Sequence, residues 1–334
     1  MYLVSILVPV YRVESYIERC ARSLFEQTYQ NLEYVFIDDC SPDSSIAVLE
    51  RILSEYPARM EAVRIVRHDR NRGLAASRNT ALDNASGVFI SSVDSDDWLE
   101  LDAVEKLVNK QIETSADIVA GNMIMHTKYG DEIVLETKCN SKEDLVLLQL
   151  QKSWDHTVCR KLIRRSLFEN NGIRCMEGCD MTEDRYQMAQ LTYFADSYAL
   201  IDDIIYHYEK RNENSIMSQR EKEKVLERNN QYLCNWLGIR AFFSDKEEVF
   251  YKEATEQSML FAKQFMDIII RLNSKQWYER IAGLLDQEDP GIQRIAGWTI
   301  KGIRGFFLHS YYWRVLDYQR IRVIRFIKRR LSSK

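Results

Sequence analysis

The chain has 334 residues, of which 46% are hydrophobic and 29% charged, and its formal net charge is −4. This composition is typical of a globular protein with one large domain or two ordinary ones. No run of 18 apolar residues occurs, which excludes a predicted transmembrane helix. The seven cysteines form no CxxC pair, so free thiols are favoured over a zinc site. The first ten residues resemble a strand rather than a signal peptide, and we therefore expect a cytoplasmic protein.

Strands and helices alternate through the first hundred residues. Apolar, β-rich runs separated by segments with helical spacing predict an α/β fold, Rossmann-like, with a mostly parallel sheet flanked by helices. The pattern Ser15-x-x-Glu18 predicts a capping box at the first helix, and Pro42 is expected at the first position of the second helix. The predicted strands are 3–8, 33–37, 62–66 and 88–93.

Acidic residues follow two of these strands. Asp38-Asp39 closes the second strand, and Asp94-Ser95-Asp96 closes the fourth. Parallel strands end at one edge of the sheet, where such folds bind ligands. If the backbone there is extended, Asp94 and Asp96 share a face and suit a divalent cation. Alternatively, Asp96 or Asp97 caps the helix that follows.

Two common nucleotide-binding sites are disfavoured. No GxGxxG follows the first strand, which argues against a dinucleotide-binding domain, and no GxxxxGK[ST] is present, which argues against a P-loop.

Four motifs together resemble those of the family 2 glycosyltransferases, which are inverting enzymes with the GT-A fold. The resemblance covers the first hundred residues closely and extends more loosely to about residue 218. Cys40 stands where that family usually has glycine. In chain order the motifs are Val8-Pro9-Val10-Tyr11, Ile37-Asp38-Asp39-Cys40-Ser41-Pro42-Asp43, Asn71-Arg72-Gly73-Leu74 with Ser77-Arg78-Asn79, and Val93-Asp94-Ser95-Asp96-Asp97.

The resemblance implies a role for individual residues in binding a nucleotide-sugar donor. Pro9 and Tyr11 would flank the base, and Asp39 would hold it, uracil being favoured. Polar residues near the ribose and phosphates would be Asn71, Arg78 and Asp94. Asp96 would be the ligand of Mg²⁺ or Mn²⁺, between which carboxylates alone do not discriminate.

A second acidic stretch, Thr182-Glu183-Asp184, precedes an apolar helical pattern. These acids favour a helix start, where Thr182 would act as a cap and the carboxylates would complement the helix dipole. The family has a Glu-Asp pair at this place, which implies that Asp184 is the catalytic base. The resemblance also places Lys161 near the rim of the donor site. Its segment, 158–165, is otherwise expected to begin a surface helix.

The remaining third of the chain is helical in pattern. Apolar spacing predicts helices at 225–243, 250–272 and 277–285. We therefore expect a GT-A glycosyltransferase domain at 1–218 and a helical C-terminal region at 219–334.

The C-terminal segment is strongly basic. Arg314 to Lys334 contains eight basic residues and one acid, a net charge of +7 that leaves −11 on the rest. The segment 321–331 forms a basic amphipathic pattern, which favours peripheral docking on the anionic inner face of a membrane. It equally suits a helix packed on its own domain. No nucleic-acid-binding motif accompanies it.

The sequence thus predicts a metal-assisted inverting glycosyltransferase of the hexosyltransferase class. It would transfer a sugar, with a UDP-sugar favoured, to a hydroxyl of a glycan or lipid-linked acceptor in polysaccharide biosynthesis. The alternatives are a nucleotidyltransferase and an inactive GT-A-fold protein that docks on the membrane.

Overall fold

A computed structural model describes residues 1–151, 156–212 and 220–286. The chain divides into two compact units, Met1–Gln219 and Arg220–Lys334. The separate roles expected for 1–218 and 219–334 stay predictions.

The first unit contains a mixed sheet that has nine strands among the described residues. The order is β3-β2-β1-β4-β8-β6-β9-β5, and β7 pairs with β6 outside this path. The strands are β1 Val4–Val10, β2 Leu32–Asp38, β3 Val63–Arg67, β4 Phe89–Ser92, β5 Trp98–Leu99, β6 Ile118–Thr127, β7 Gly130–Val134, β8 Lys161–Arg164 and β9 Tyr198–Glu209.

The half of the sheet formed by β1 to β4 is parallel, as predicted. Every residue of strand β1 is buried, which explains why its sequence is apolar apart from Ser5, whose hydroxyl donates to Glu33. The backbone N–H of Asp39 donates to the carbonyl of Val10 at 3.1 Å, and that of Val93 donates to Leu7 at 2.9 Å. The two acidic turns therefore begin on either side of the end of β1.

The other half of the sheet is mixed. β8 pairs antiparallel with β4 and β6, and β5 pairs antiparallel with β9, whereas β6 and β9 pair in parallel, so the sheet is uninterruptedly parallel only over its first four strands. The surface helix expected at 158–165 is wrong, because Lys161 begins strand β8. Its side chain is fully buried, and its Nζ lies 3.0 Å from Glu136 Oε1.

Helices flank the sheet, with boundaries that differ from the predicted caps. The first helix begins at Ile17 without a side-chain cap, so the predicted capping box is absent, and Glu18 instead pairs with Arg22 and Arg51. The second helix begins at Ser45, three residues after Pro42. The helices of this unit are α1 Ile17–Phe25, α2 Ser45–Leu53, α3 Leu74–Asp83, α4 Ala103–Thr114, α5 Lys142–Leu150, α6 Arg165–Asn170 and α7 Glu183–Phe194.

The described part of the second unit consists of three helices, as the apolar spacing predicted. They are α8 Lys222–Phe242, α9 Glu248–Arg271 and α10 Lys275–Asp286. Their apolar faces form a core of their own that includes Leu233, Phe265 and Ile281. Within the described ranges no helix is long and apolar enough to cross a bilayer. The basic segment 314–334 lies outside the described residues.

Candidate functional site

The acidic segment after β4 forms a turn rather than an extended strand. The N–H of Asp97 donates to the carbonyl of Asp94 at 3.0 Å. Asp94 and Asp96 therefore do not share a strand face, contrary to the prediction, and each has a different partner. Asp94 Oδ1 accepts a hydrogen bond of 2.8 Å from Arg78 Nη2, and its Oδ2 lies 3.4 Å from the thiol of Cys159.

Asp96 and Asp97 accept hydrogen bonds from residues in the last part of strand β9 and just after it. Asp96 Oδ2 accepts from Asn212 Nδ2 at 2.9 Å, and burial raises the pKa of Asp96 to about 6. Asp97 is fully buried and accepts from the hydroxyl of Tyr206 at 2.6 Å and from the N–H of Glu209 at 2.7 Å. The next helix begins only at Ala103, so the alternative that Asp96 or Asp97 caps it is wrong.

Arg78 joins this turn to the second acidic stretch. Its side chain is 7% exposed, and its Nε donates to Glu183 Oε1 at 3.1 Å while Nη2 contacts Asp94. The charge of the buried Arg78 is thus offset by carboxyl groups from two separate segments, the acidic turn and the start of α7. Glu183 lies beside Asp184, and burial raises the pKa of Glu183 to about 8.

Asp184 lies in the first turn of α7, and its side chain is 18% exposed. His156 Nε2 lies 3.9 Å from Asp184 Oδ2. Thr182 precedes the helix but does not cap it, because its φ of 62° is left-handed and its side chain makes no cap hydrogen bond. The carboxylate of Asp184 is therefore partly accessible, with an imidazole beside it.

Asp39 is held by a ring of donors after β2. Its Oδ1 contacts His68 Nδ1 and accepts from the N–H of Arg72, both at 2.7 Å, and its Oδ2 accepts from the N–H of Gly73 at 2.9 Å. The side chains of Asp39 and His68 are each 4% exposed. The carboxylate is thus pre-positioned by the loop that carries the Asn71-Arg72-Gly73 motif.

The other predicted donor-site residues differ in their exposure. Pro9 is buried in β1 and, with Arg78, lines a cavity of about 10 Å³. Tyr11 is 38% exposed and follows directly on β1, next to the turn that begins at Asp39. Asn71 is exposed in the loop before α3. The structure therefore links Arg78 directly to Asp94, and it places Asp39 beside the end of β1.

Sequence reasoning missed several residues that support the site. Asp180 Oδ1 accepts from the N–H of Ala75 at 2.9 Å, at the start of α3, and burial raises the pKa of Asp180. A Cβ at Gly73, whose φ is +92°, would lie 2.4 Å from Asp180 Oδ2, so this glycine permits the approach. Gly73 could have been found from the sequence, because it belongs to the Asn71-x-Gly73 motif. No sequence pattern pointed to Asp180.

Glu209 was also missed, because it lies far from the acidic turn in sequence. Its carboxylate accepts from Arg19 Nη2 at 3.1 Å and from Arg211 Nε and Nη2, both at 2.6 Å. The hydrogen bonds from Arg211 lower the pKa of Glu209 to about 2. Arg19 also donates to the carbonyl of Asp96 at 3.2 Å, so Glu209 helps fix the acidic turn.

Comparison with known families decides between the glycosyltransferase and nucleotidyltransferase interpretations. The family described as Glycosyl transferase family 2 matches residues 5–172, about half of the chain. The chain belongs to this family. It is 43% identical to the glycosyltransferase GlyA of Streptococcus pneumoniae serotype 4 over 119 residues, which are 36% of this chain and 16% of GlyA. It is 32% identical to EpsH of Bacillus subtilis over 236 residues, 67% of this chain and 65% of EpsH. The chain thus spans less than two thirds of either relative.

Solved structures confirm the GT-A fold. TarS 1-349 of S. aureus, solved in complex with UDP-GlcNAc, has a TM-score of 0.64 at 19% identity, with 95% of this chain and 89% of that chain covered. The mannosyltransferase PcManGT of Pyrobaculum calidifontis, solved with GDP-Man and Mn²⁺, has a TM-score of 0.55 at 15% identity, with 100% and 88% covered. At these identities the likeness shows the fold alone.

Proposed function

We propose that this protein transfers a sugar from a nucleotide-diphosphate sugar to a hydroxyl group of an acceptor, with inversion at the anomeric carbon. The observation that carries the proposal is the bridge from Asp94 through Arg78 to Glu183. It joins the acidic turn, suited to a diphosphate and its cation, to the helix start that presents Asp184. This link supports a site in which the donor and the base meet at the same edge of the sheet.

Asp39 limits which nucleotide the donor carries. An ionised carboxylate only accepts hydrogen bonds. Uracil and guanine present a ring N–H on their pairing edge, whereas cytosine and adenine present a ring nitrogen that accepts. Asp39 therefore favours a UDP- or GDP-sugar, and the family resemblance favours UDP. Pro9 and Tyr11 would flank the base, and Asn71 would lie near the ribose and phosphates.

The acidic turn fits a divalent cation. Mg²⁺ and Mn²⁺ take hard oxygen ligands, and Mg²⁺ is usually held by one or two carboxylates with water and phosphate oxygens completing its shell. Asp96 and the nearby Asp94 would supply the one or two carboxylates that such a cation needs. No group of three or more metal-ligating side chains occurs in the described ranges. When bound, the cation would offset the charge that develops on the diphosphate.

Asp184 would act as the general base. One of its carboxylate oxygens takes the proton of the acceptor hydroxyl as the hydroxyl oxygen bonds to the anomeric carbon. The bond from that carbon to the diphosphate oxygen breaks, and the nucleoside diphosphate leaves with the electron pair. Attack opposite the leaving group inverts the centre, and no covalent enzyme intermediate forms. A positioned base of this kind contributes about 10²–10⁴-fold to the rate.

We further propose that the acceptor is a glycan or a lipid-linked sugar in polysaccharide biosynthesis. The support is the glycosyltransferase family itself and the net charge of +7 at residues 314–334, which suits the anionic face of a membrane. These basic residues would contribute about 1 kcal/mol each at such a surface.

The decisive experiment measures thermal unfolding with UDP, GDP, CDP and ADP, each with and without Mn²⁺. A ligand present at about 100 times its Kd stabilises the fold by about 2.7 kcal/mol. We expect a Mn²⁺-dependent shift with UDP or GDP, and we expect Asp96→Ala to abolish it. Asp196→Ala, which removes a carboxylate that is 94% exposed, is the matched control and should respond like the natural protein. If no nucleotide shifts the transition, the inactive binding-protein alternative is favoured instead.

A further inference from the structure

His68 lies at the base of the proposed nucleotide site and is not used by the mechanism above. Its ring is 4% exposed and lies between Asp39 and the helix α3. Nδ1 is 2.7 Å from Asp39 Oδ1, and Nε2 is 2.9 Å from Thr80 Oγ1. Both ring nitrogens therefore have a polar partner, which is unusual for a histidine that only fills space.

The partners fix how the ring is protonated. Since a carboxylate oxygen only accepts, Nδ1 must carry the hydrogen that faces Asp39. Nε2 faces a hydroxyl, which can donate to a bare nitrogen or accept from a protonated one. Thr80 therefore holds the ring in place without changing the hydrogen bond that His68 gives to Asp39.

The arrangement leaves Asp39 with little accepting capacity. A carboxylate offers about four lone-pair positions. His68 and the N–H of Arg72 take both positions on Oδ1, and the N–H of Gly73 takes one on Oδ2. One position on Oδ2 remains. A ligand reaching this carboxylate must bring a single N–H to that oxygen.

We propose that His68 sets nucleobase selectivity, by occupying Oδ1 of Asp39 so that Oδ2 alone is left to read one ring N–H of the base. His68 is thus a positioning residue, and this inference rests on the proposed function. It narrows the donor class to nucleotides whose base carries such an N–H. Without His68, the N–H of Arg72 is the one donor left on Oδ1, so this oxygen regains an accepting position and the carboxylate can rotate to accept the exocyclic amino group of cytosine or adenine.

The test is calorimetric binding of UDP, GDP, CDP, ADP and inorganic pyrophosphate to the full chain, all with Mn²⁺. The natural protein should bind UDP or GDP about tenfold or more tightly than CDP and ADP, because a hydrogen bond to a charged group is worth about 1.5–3 kcal/mol. In His68→Leu this preference should fall by about tenfold, while the affinity for pyrophosphate, which has no base, stays unchanged.

His68→Asn is the second variant, and it keeps the inference testable if His68→Leu does not fold. Its amide nitrogen takes the place of Nδ1, so the preference for the ring N–H should return. A merely structural role predicts instead that all five ligands lose affinity together, or that none does, and either result overturns the inference. An unselective natural protein that binds pyrophosphate and every nucleotide equally also overturns it. If the natural protein binds none of the five ligands, both the inference and the proposed function fail.

Discussion

Arg78 on α3 donates from Nε to Glu183 Oε1 at 3.1 Å, although 105 residues separate the two in sequence. The same guanidinium contacts Asp94 at 2.8 Å through Nη2. A single cation therefore holds together the acidic turn and the start of the helix that carries the proposed base. The acidic turn and the start of α7 are therefore connected through the Arg78 side chain, and no helix or strand contains both.

Removing Arg78 should strongly destabilise the first unit. In Arg78→Met, Asp94 loses its cation, and the buried Glu183, which is neutral below its pKa of about 8, loses a hydrogen-bond donor. Leaving a buried polar group unsatisfied costs about 1–3 kcal/mol, and loss of the pair with Asp94 adds to this cost. Urea unfolding measures the loss. Arg174→Met is the control, since its pair with Asp83 is largely exposed and should change the free energy of unfolding by about 1 kcal/mol or less. A loss in Arg78→Met no larger than in the control contradicts a bridging role.

Glu183 should make stability depend on pH. Burial raises its pKa in the folded state to about 8, from an ordinary value of 4.5. Between these values the folded protein retains a proton that the unfolded chain releases, so stability falls as the pH rises through this window. Glu183→Gln stays neutral and should gain stability relative to the natural protein over the same window.

Chemical denaturation at several pH values from about 4 to about 9 measures this difference. Glu177→Gln serves as the control, because that side chain is 52% exposed and pairs with Arg72 at the surface. A difference between Glu183→Gln and the natural protein that stays constant with pH contradicts the prediction, because it means that folding leaves the pKa of Glu183 unchanged.

Asp184→Asn should separate binding from transfer. The amide keeps the size of the side chain but cannot take a proton, so kcat should fall by about 10²–10⁴-fold while donor affinity is kept. Release of nucleoside diphosphate in the presence of acceptor measures the first quantity, and calorimetry with the donor measures the second. Asp196→Asn is the exposed control. Unchanged transfer in Asp184→Asn assigns the base to another residue, for which His156 is a candidate because its Nε2 lies 3.9 Å from Asp184 Oδ2.

The strands and helices were predictable because apolar spacing reflects local burial. β1 shows this clearly, since all seven of its residues are buried and all but Ser5 are apolar. The acids after β2 and β4 were placed correctly on one edge, because parallel strands share a direction. The three helices of the second unit followed from the same periodicity.

The caps and the buried charges were not predictable, because they depend on partners distant in sequence. Glu18 fits a capping box, yet it pairs with arginines on α1 and α2 instead. Lys161 was expected to lie in a surface helix, but it begins β8 and is fully buried beside Glu136. His68 and Glu209 carry no local signal, and only the sheet order brings them to Asp39 and to the acidic turn.

Cys40 stands where the family resemblance leads us to expect glycine, and its backbone conformation is one that favours glycine. Its φ of 55° is left-handed, a conformation that costs a residue with a Cβ about 1–2 kcal/mol. Cys40→Gly removes that strain, while glycine's greater freedom in the unfolded chain offsets about 0.4–1 kcal/mol of the gain. The free energy of unfolding should therefore rise by roughly 1 kcal/mol in a urea titration. Cys40→Ala keeps the Cβ and loses the thiol, so it should show no gain; an equal gain in both variants would instead assign the effect to the exposed thiol.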